Sequence, residues 1–220
     1  LISSIEHKCI KNAAYFFGHK LGYQVSEIPV DSTGLVDIDA YQSMLNDQVL
    51  FVSIMAVNNE IGVIQPIQKL AELAHDVGAI FHCDAAQAPE AMDIDVKQWN
   101  VDMLSLSAHK VYGPKGIGAL YIKNSLQASL PPFIHGGGQQ FGQRSGTLPT
   151  GLSVGFAKAM ELSREGAEHN RTWLTSMKQR FLEGLRDKDI DFTINGTTDN
   201  THPGCLNIRF ADVDATNLLA

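Results

Sequence analysis

Val49-Leu50-Phe51-Val52-Ser53-Ile54-Met55 is an unbroken apolar run rich in β-branched residues, the pattern of a strand covered on both faces rather than one alternating between core and water. Asn58-Asn59-Glu60 follow it, and Ile67 to Val77 then reads as a helix stopped at Gly78. The alternation continues downstream. Ala79-Ile80-Phe81-His82-Cys83 is a second buried strand ending at Asp84, and Asp102-Met103-Leu104-Ser105-Leu106-Ser107 is a third, running out into Ala108-His109-Lys110. Gly118 to Ile122 reads as a further strand, antiparallel to the rest. Upstream, Lys8 to Leu21 predicts a helix closed by Gly22, Gln24 to Pro29 a short strand, and Asp37 to Leu45 a helix with Asp37 as its N-cap. Strands and helices in this order predict an α/β fold, a mostly parallel sheet covered by helices on both faces.

From Gly151 the pattern changes. Leu152 to Arg186 reads as one long helix or two in succession, followed by short strands at Phe192-Thr193-Ile194 and Leu206 to Phe210, with the turn-rich Asn195 to Gly204 between them. Residues 1–165 are therefore expected to form part of a large ligand-binding domain and 166–220 an incomplete, smaller C-terminal α+β domain. The chain opens at Leu1 and closes on Leu218-Leu219-Ala220 within what reads as a helix, so the expectation is a piece of a longer protein.

Composition narrows the function classes. The 220 residues are 44% apolar, enough for one ordinary core, and carry a formal charge of -7 with a pI near 5.5. That balance argues against a nucleic-acid partner, which asks for a basic face. No apolar run approaches the roughly 20 residues of a spanning helix, and the first residues do not resemble a signal peptide. Cys9, Cys83 and Cys205 stand far apart without a CxxC pair, which reads as buried, reduced thiols rather than a disulfide framework or zinc site, and so as a cytoplasmic protein.

In parallel sheets, ligands bind beyond the carboxyl ends of the strands. Asn58-Asn59-Glu60, Asp84 and Ser107-Ala108-His109-Lys110 all fall at such ends, a concentration of polar groups that core packing does not explain. They answer the demands of pyridoxal phosphate (PLP): a lysine for the aldehyde, an acid for the pyridine nitrogen, phosphate donors, and a group stacked on the ring. Lys110 follows a buried strand and precedes the glycine-rich Gly113-Pro114-Lys115-Gly116-Ile117-Gly118, whose backbone can approach a ligand; Lys115 reads as a surface residue. Asp84 ends an apolar strand, where a carboxylate is costly without a cation. A pyridinium would supply one; a helix N-cap is the other reading. Gln87 is one turn further on, Ser107 and His109 are candidate phosphate donors, and His7 is either a ring-stacking residue or a structural histidine. Gly136-Gly137-Gly138 with Gln143-Arg144-Ser145-Gly146-Thr147 forms a second glycine-rich, hydroxyl-bearing segment.

Glu6-His7-Lys8, Val57-Asn58-Asn59-Glu60-Ile61-Gly62, Asp84-Ala85-Ala86-Gln87, Ser107 to Gly116, and His135-Gly136-Gly137-Gly138-Gln139 with Arg144-Ser145-Gly146-Thr147 resemble, in order and spacing, the cysteine desulfurases. These are PLP-dependent enzymes of the class V aminotransferase family, NifS/IscS type. The resemblance implies the type I fold of PLP-dependent transferases. It implies that Lys110 would bond to the cofactor, that His7 would stack on its ring and assist proton transfer, and that Asp84 would pair with the ring nitrogen. Asn59 and Gln87 would address the ring's phenolic oxygen, Ser107 and His109 would hold the phosphate, and Thr147 would complete the phosphate site of the neighbouring subunit of a homodimer.

The implied reaction removes sulfur from L-cysteine, giving L-alanine and an enzyme persulfide passed to an acceptor protein of iron–sulfur cluster assembly or tRNA thiolation. Ala108 departs from the family's usual glycine. The family's catalytic cysteine, on a mobile loop, and its substrate-carboxylate arginine would both lie past Ala220, and its glycine-threonine phosphate loop before Leu1, so the chain alone is expected not to complete desulfuration. Another class V enzyme, such as a selenocysteine lyase, or an inactive scaffold are the competing readings.

Overall fold

The computed structural model describes residues 1–218. Its large sheet is built from β1 (Ile2–Ser3), β2 (Glu27–Ile28), β3 (Phe51–Ser53), β4 (Ile80–Asp84), β5 (Met103–Ser107) and β6 (Gly118–Ile122), in the spatial order β2-β1-β3-β4-β5-β6. All neighbours are parallel except β5 and β6, which form the expected antiparallel pair. Strands β2 and β3 are shorter than the runs that announce them, because β3 leaves the ladder after Ser53 and β2 keeps only two of its predicted residues, whereas β6 keeps its expected bounds.

Side-chain alternation divides the sheet into two unlike faces. Val52, Phe81, Cys83 and Leu104 point into the main core. There they join Tyr41 of α2 (Ile38–Met44) and Ile67, Leu70, Ala71 and Ala74 of α3 (Ile67–Asp76). The Tyr41 hydroxyl donates to the Leu70 carbonyl at 3.2 Å, which satisfies the one polar atom this tyrosine takes inside. The other face carries Ser53, His82, Asp84 and Ser105, which the strand register sets side by side. It is less fully covered: Phe51 is 37% exposed and Leu120 52%. Helix α1 (Lys8–Leu21) buries only Gly18, so the expected cover of the sheet by helices is fuller on the α3 side.

Helix boundaries follow their caps. His7 Nδ1 accepts the Cys9 N–H at the start of α1, and Gly22 closes it in the left-handed region at φ 79°. Asp37 caps α2 by accepting the Ala40 N–H at 3.0 Å. After the short α4 (Asn124–Gln127), the expected long helix is a single one, α5 (Thr150–Arg186). It runs about 55 Å at the standard rise. Strands β7 (Phe192–Ile194) and β8 (Ile208–Phe210) form a separate antiparallel pair, and α6 (Ala215–Leu218) ends the described chain; the helix expected through Leu219 and Ala220 lies partly outside the described residues. No helix among the described residues is long and apolar enough to cross a membrane.

All three cysteines are free, but only Cys83 is buried. Cys9 is exposed on α1, because that helix turns little of its surface inward. Cys205 lies in the irregular segment before β8, its N–H bonded to the His202 carbonyl and its thiol 3.4 Å from the Glu60 carbonyl.

Candidate active site

The carboxyl ends of β3, β4 and β5 are adjacent, and each delivers candidate residues. Asp84 closes β4 and is 7% exposed. Its Oδ1 accepts the Ala86 N–H at 3.0 Å, a local turn rather than the cap of a helix. Among the described residues no cation pairs with it and no hydrogen bond is made to Oδ2, which leaves that oxygen as an unpaired acceptor on a largely buried residue.

Beneath Asp84 a polar rung crosses the sheet. Ser53 Oγ lies 2.8 Å from His82 Nδ1, and His82 Nε2 lies 2.8 Å from Ser105 Oγ. Burial pushes the His82 pKa from 6.5 down to about 4, with Asp84 acting in the opposite sense, so this imidazole is neutral and spends both nitrogens on the two serines. The rung fixes β3, β4 and β5 against one another just below the acid.

Lys110 sits in the 3-10 turn Ala108–Val111 that follows β5. It is exposed and makes no hydrogen bond or ion pair among the described residues. The turn beneath it is rigid. Ala108 and Val111 are buried against Phe156 of α5, and Tyr112, 93% exposed, takes a left-handed conformation at φ 60°. Two of the glycines after Lys110, Gly113 and Gly118, are needed for close packing of the chain on itself. A side chain at Gly113 would meet the Ala108 carbonyl at 2.8 Å, and one at Gly118 the Leu106 carbonyl at 2.6 Å. Ser107 Oγ and His109 Nδ1 are 3.0 Å apart at the mouth of the turn, so both donors arrive together.

Asn59 and Gln87 are also brought together. They line one cleft of about 350 Å³ with Asn58, Glu60, His202, Gly204, Cys205 and Leu206. The contribution of residues 202–206 to this cleft is not expected from the sequence, which gives 202–204 to a turn-rich stretch and Leu206 to the start of a strand. His7 is exposed at the start of α1. The charge of Asp84 acts on both Glu6 and Cys9, which places the His7 turn beside β4. Thr147 stands apart: it is exposed on the loop leading to α5, and no hydrogen bond ties it to the other candidates.

Three residues have no role assigned from the sequence: His82, Glu6 and Asn58, although Asn58 stands in the polar cluster after the first strand and Glu6 beside His7. For His82 the signal was its place two residues before Asp84, hence on the same sheet face. Burial, chiefly, raises the Glu6 pKa from 4.5 to about 8; the Met55 N–H opposes the rise, Asp84 adds to it and Lys11 opposes it.

The two shifts set a pH profile. Folded Glu6 keeps a proton that the unfolded chain releases above 4.5, so stability falls as pH rises from 4.5 toward about 8. Unfolded His82 takes up a proton below 6.5 that the folded protein refuses until about 4, so stability falls as pH drops across that range. Urea unfolding should therefore show a plateau where the two oppose, between 4.5 and 6.5, with a decline on either side. Glu6→Gln should remove the alkaline decline; a limb that persists in that variant belongs to another group.

A mostly parallel sheet that gathers a buried acid, an unpaired lysine, and hydroxyl and imidazole donors at its carboxyl edge is the type I fold of the PLP-dependent transferases. The chain belongs to the aminotransferase class-V family, whose model matches residues 1–220, and PLP is that family's cofactor. "Cysteine desulfurase, mitochondrial" of Arabidopsis thaliana is 41% identical over 219 residues, covering 100% of this chain and 48% of that protein. "Cysteine desulfurase IscS" of Rickettsia typhi (strain ATCC VR-144 / Wilmington) is 40% identical, covering 97% of this chain and 52% of the relative. Among solved structures, a "NIFS-LIKE PROTEIN" superimposes with a TM-score of 0.93 at 32% identity, over 99% of this chain and 59% of the other. The chain thus spans about half the length of the curated relatives it matches.

The residues present fit PLP. Asp84 offers an unused acceptor oxygen of the kind a ring N–H needs, Lys110 an unpaired amine, and Ser107 with His109 a pair of donors for a phosphate.

Proposed function

We propose that this chain carries the cofactor-binding part of a cysteine desulfurase. Such an enzyme moves the sulfur of L-cysteine to an acceptor thiol, leaving L-alanine and a persulfide. The observation that carries the reading is the delivery of Asn59, Asp84 and Lys110 by three adjacent strand ends. It occurs in a family member whose relatives bear the name cysteine desulfurase.

In this reading PLP, once bound, supplies an electron sink for the substrate's α-carbon. The protein does the rest. Asp84 holds a proton on the ring nitrogen by facing it with a carboxylate, and Asn59 and Gln87 bind the ring oxygen from their shared cleft. Ser107 and His109 bind phosphate, and Thr147 reaches the phosphate site of the second subunit in a homodimer. Lys110 holds the cofactor and, with His7, moves the α-proton of cysteine. Cys83 is wholly buried and is excluded as sulfur acceptor by access. The acceptor thiol is the loop cysteine that the family resemblance implies.

The persulfide goes on to an iron–sulfur scaffold or a tRNA-thiolation protein in the cytoplasm. Residues 1–165 belong to the large domain and 166–220 to the small one; the division falls inside α5, whose Phe156 packs on the lysine turn while its Leu174, Met177 and Phe181 line a groove with Ile208 and Phe210 of β8. The test is to load the full-length enzyme with PLP, add L-cysteine, and quantify alanine and protein persulfide. Equimolar alanine and persulfide support the reading. Failure to retain PLP, or formation of a keto acid in place of alanine, overturns it.

A further inference from the structure

Beside Asp84 lies a second buried carboxyl to which none of the roles above is assigned. Glu6 is 5% exposed, its Oε1 accepts the Met55 N–H at 2.5 Å, and its Oε2 is buried with no hydrogen-bond partner among the described residues. An anion here would leave a buried acceptor unsatisfied next to another carboxylate, which is costly on both counts. Lys11 does not neutralise it, being occupied by Glu27 at 2.9 Å and by the Ser4 carbonyl at 3.1 Å. A protonated carboxyl is the cheaper occupant.

The position of Glu6 matters because of what it fastens. The turn between β1 and α1 ends in His7, and the loop after β3 carries Asn59. Glu6 joins this turn to the end of β3 through Met55. Asn58 joins the same two segments from the other side: its Nδ2 donates to the Ile5 carbonyl at 2.9 Å, and its Oδ1 accepts the N–H groups of Glu60 and Ile61, each at 2.9 Å. Asn58 is itself 6% exposed. The clamp is two-sided and buried, whereas the side chains it carries outward, His7 and Asn59, are both exposed. His7 is oriented locally by its cap bond to the Cys9 N–H, and Asn59 makes no side-chain hydrogen bond among the described residues, so the position of one relative to the other follows from the two backbone segments that the clamp joins.

We propose that Glu6 is a positioning residue, a neutral carboxyl that with Asn58 fixes His7 relative to Asn59 and so sets the geometry in which the cofactor ring is held. This rests on the reading of His7 and Asn59 as cofactor-facing residues. A carboxyl that serves stability alone would contribute to folding without shaping the bound cofactor, and a carboxyl acting by charge would not be replaced by an amide.

Glu6→Met keeps the buried bulk and removes the acceptor, whereas Glu6→Gln keeps an acceptor for Met55 and stays neutral. The readouts on full-length protein are PLP affinity by fluorescence titration and the visible circular dichroism of the bound cofactor, which reports how the ring is held. Glu6→Met should weaken PLP binding by about tenfold or more, the loss of one buried hydrogen bond. It should also alter the dichroic band, and Glu6→Gln should restore both. Leu70→Ala, a core change far along the sequence on α3, controls for lost stability: it should lower the unfolding midpoint and leave the band as in the wild type.

An unaltered band in Glu6→Met overturns the inference while leaving the cofactor assignment standing, and a Glu6→Gln variant as impaired as Glu6→Met overturns it in favour of a charge effect. Wild-type protein that retains no PLP overturns the cofactor reading and this inference with it. If Glu6→Met does not fold, Asn58→Ser opens the other side of the clamp and should shift the band in the same way; no shift there overturns the proposal.

Discussion

Lys110→Ala should abolish the covalent, borohydride-stable attachment of PLP while leaving the fold intact. In the wild type, reduction of the loaded protein should fix the cofactor on the peptide containing Lys110. The reason lies in how the turn is built. Its anchors are Ala108 and Val111, packed under Phe156, while the Lys110 side chain projects into solvent with no partner to lose. Truncation there removes an amine and little else, so the unfolding free energy should shift by no more than about 0.5 kcal/mol, as for other exposed sites. Alanine release from cysteine by the full-length enzyme should fall by about 10²- to 10⁴-fold or more, since the amine is also assigned a share of proton transfer. Lys115→Ala, five residues on and also exposed, should change neither quantity. An adduct that survives Lys110→Ala on another lysine would sink the assignment.

Much of this was legible in the sequence because it is local. The caps of α1 and α2, the buried runs of β4 and β5, and the antiparallel hairpin into β6 are each written in a few consecutive residues. The strand-end rule then placed Asn59, Asp84 and Lys110 on adjacent edges without any knowledge of contacts. What the sequence concealed depends on partners far along the chain. Glu6 meets Met55 across 49 positions and Asn58 meets Ile5 across 53, so their neighbours in the sequence mark the place of each residue but not the buried contact it makes. Cys205 reaches Glu60 across 145 positions, and nothing in the turn-rich stretch around it announces the cleft it shares with Asn59 and Gln87. Cys9 misled in the opposite sense. Cysteine is among the most buried residue types, but the face of α1 that carries it is open to solvent.

Asp84→Asn separates the charge of this residue from its shape. The amide keeps an oxygen for the Ala86 N–H, so the turn after β4 should survive and the protein should still fold. What disappears is the anion that the proposed function sets against the ring nitrogen. Removing one member of a buried charge pair typically costs about 3 kcal/mol or more, which corresponds to about two orders of magnitude in rate if the pair is needed in the transition state. Cysteine turnover by the full-length enzyme should therefore fall by at least about a hundredfold in Asp84→Asn, with Lys110 still modified on reduction.

The unloaded protein offers a second, independent reading of the same change. Asp84 is one of the charges that raise the Glu6 pKa, so its neutralisation should lower that pKa, and the alkaline decline in stability should end at a lower pH than in the wild type. A residue that served only to cap a turn would still move this limb through its charge on Glu6, but would leave turnover unchanged, so turnover decides between the two readings. If Asp84→Asn turns over cysteine as fast as Lys115→Ala, Asp84 is a cap, and the ring nitrogen has no acid in this chain.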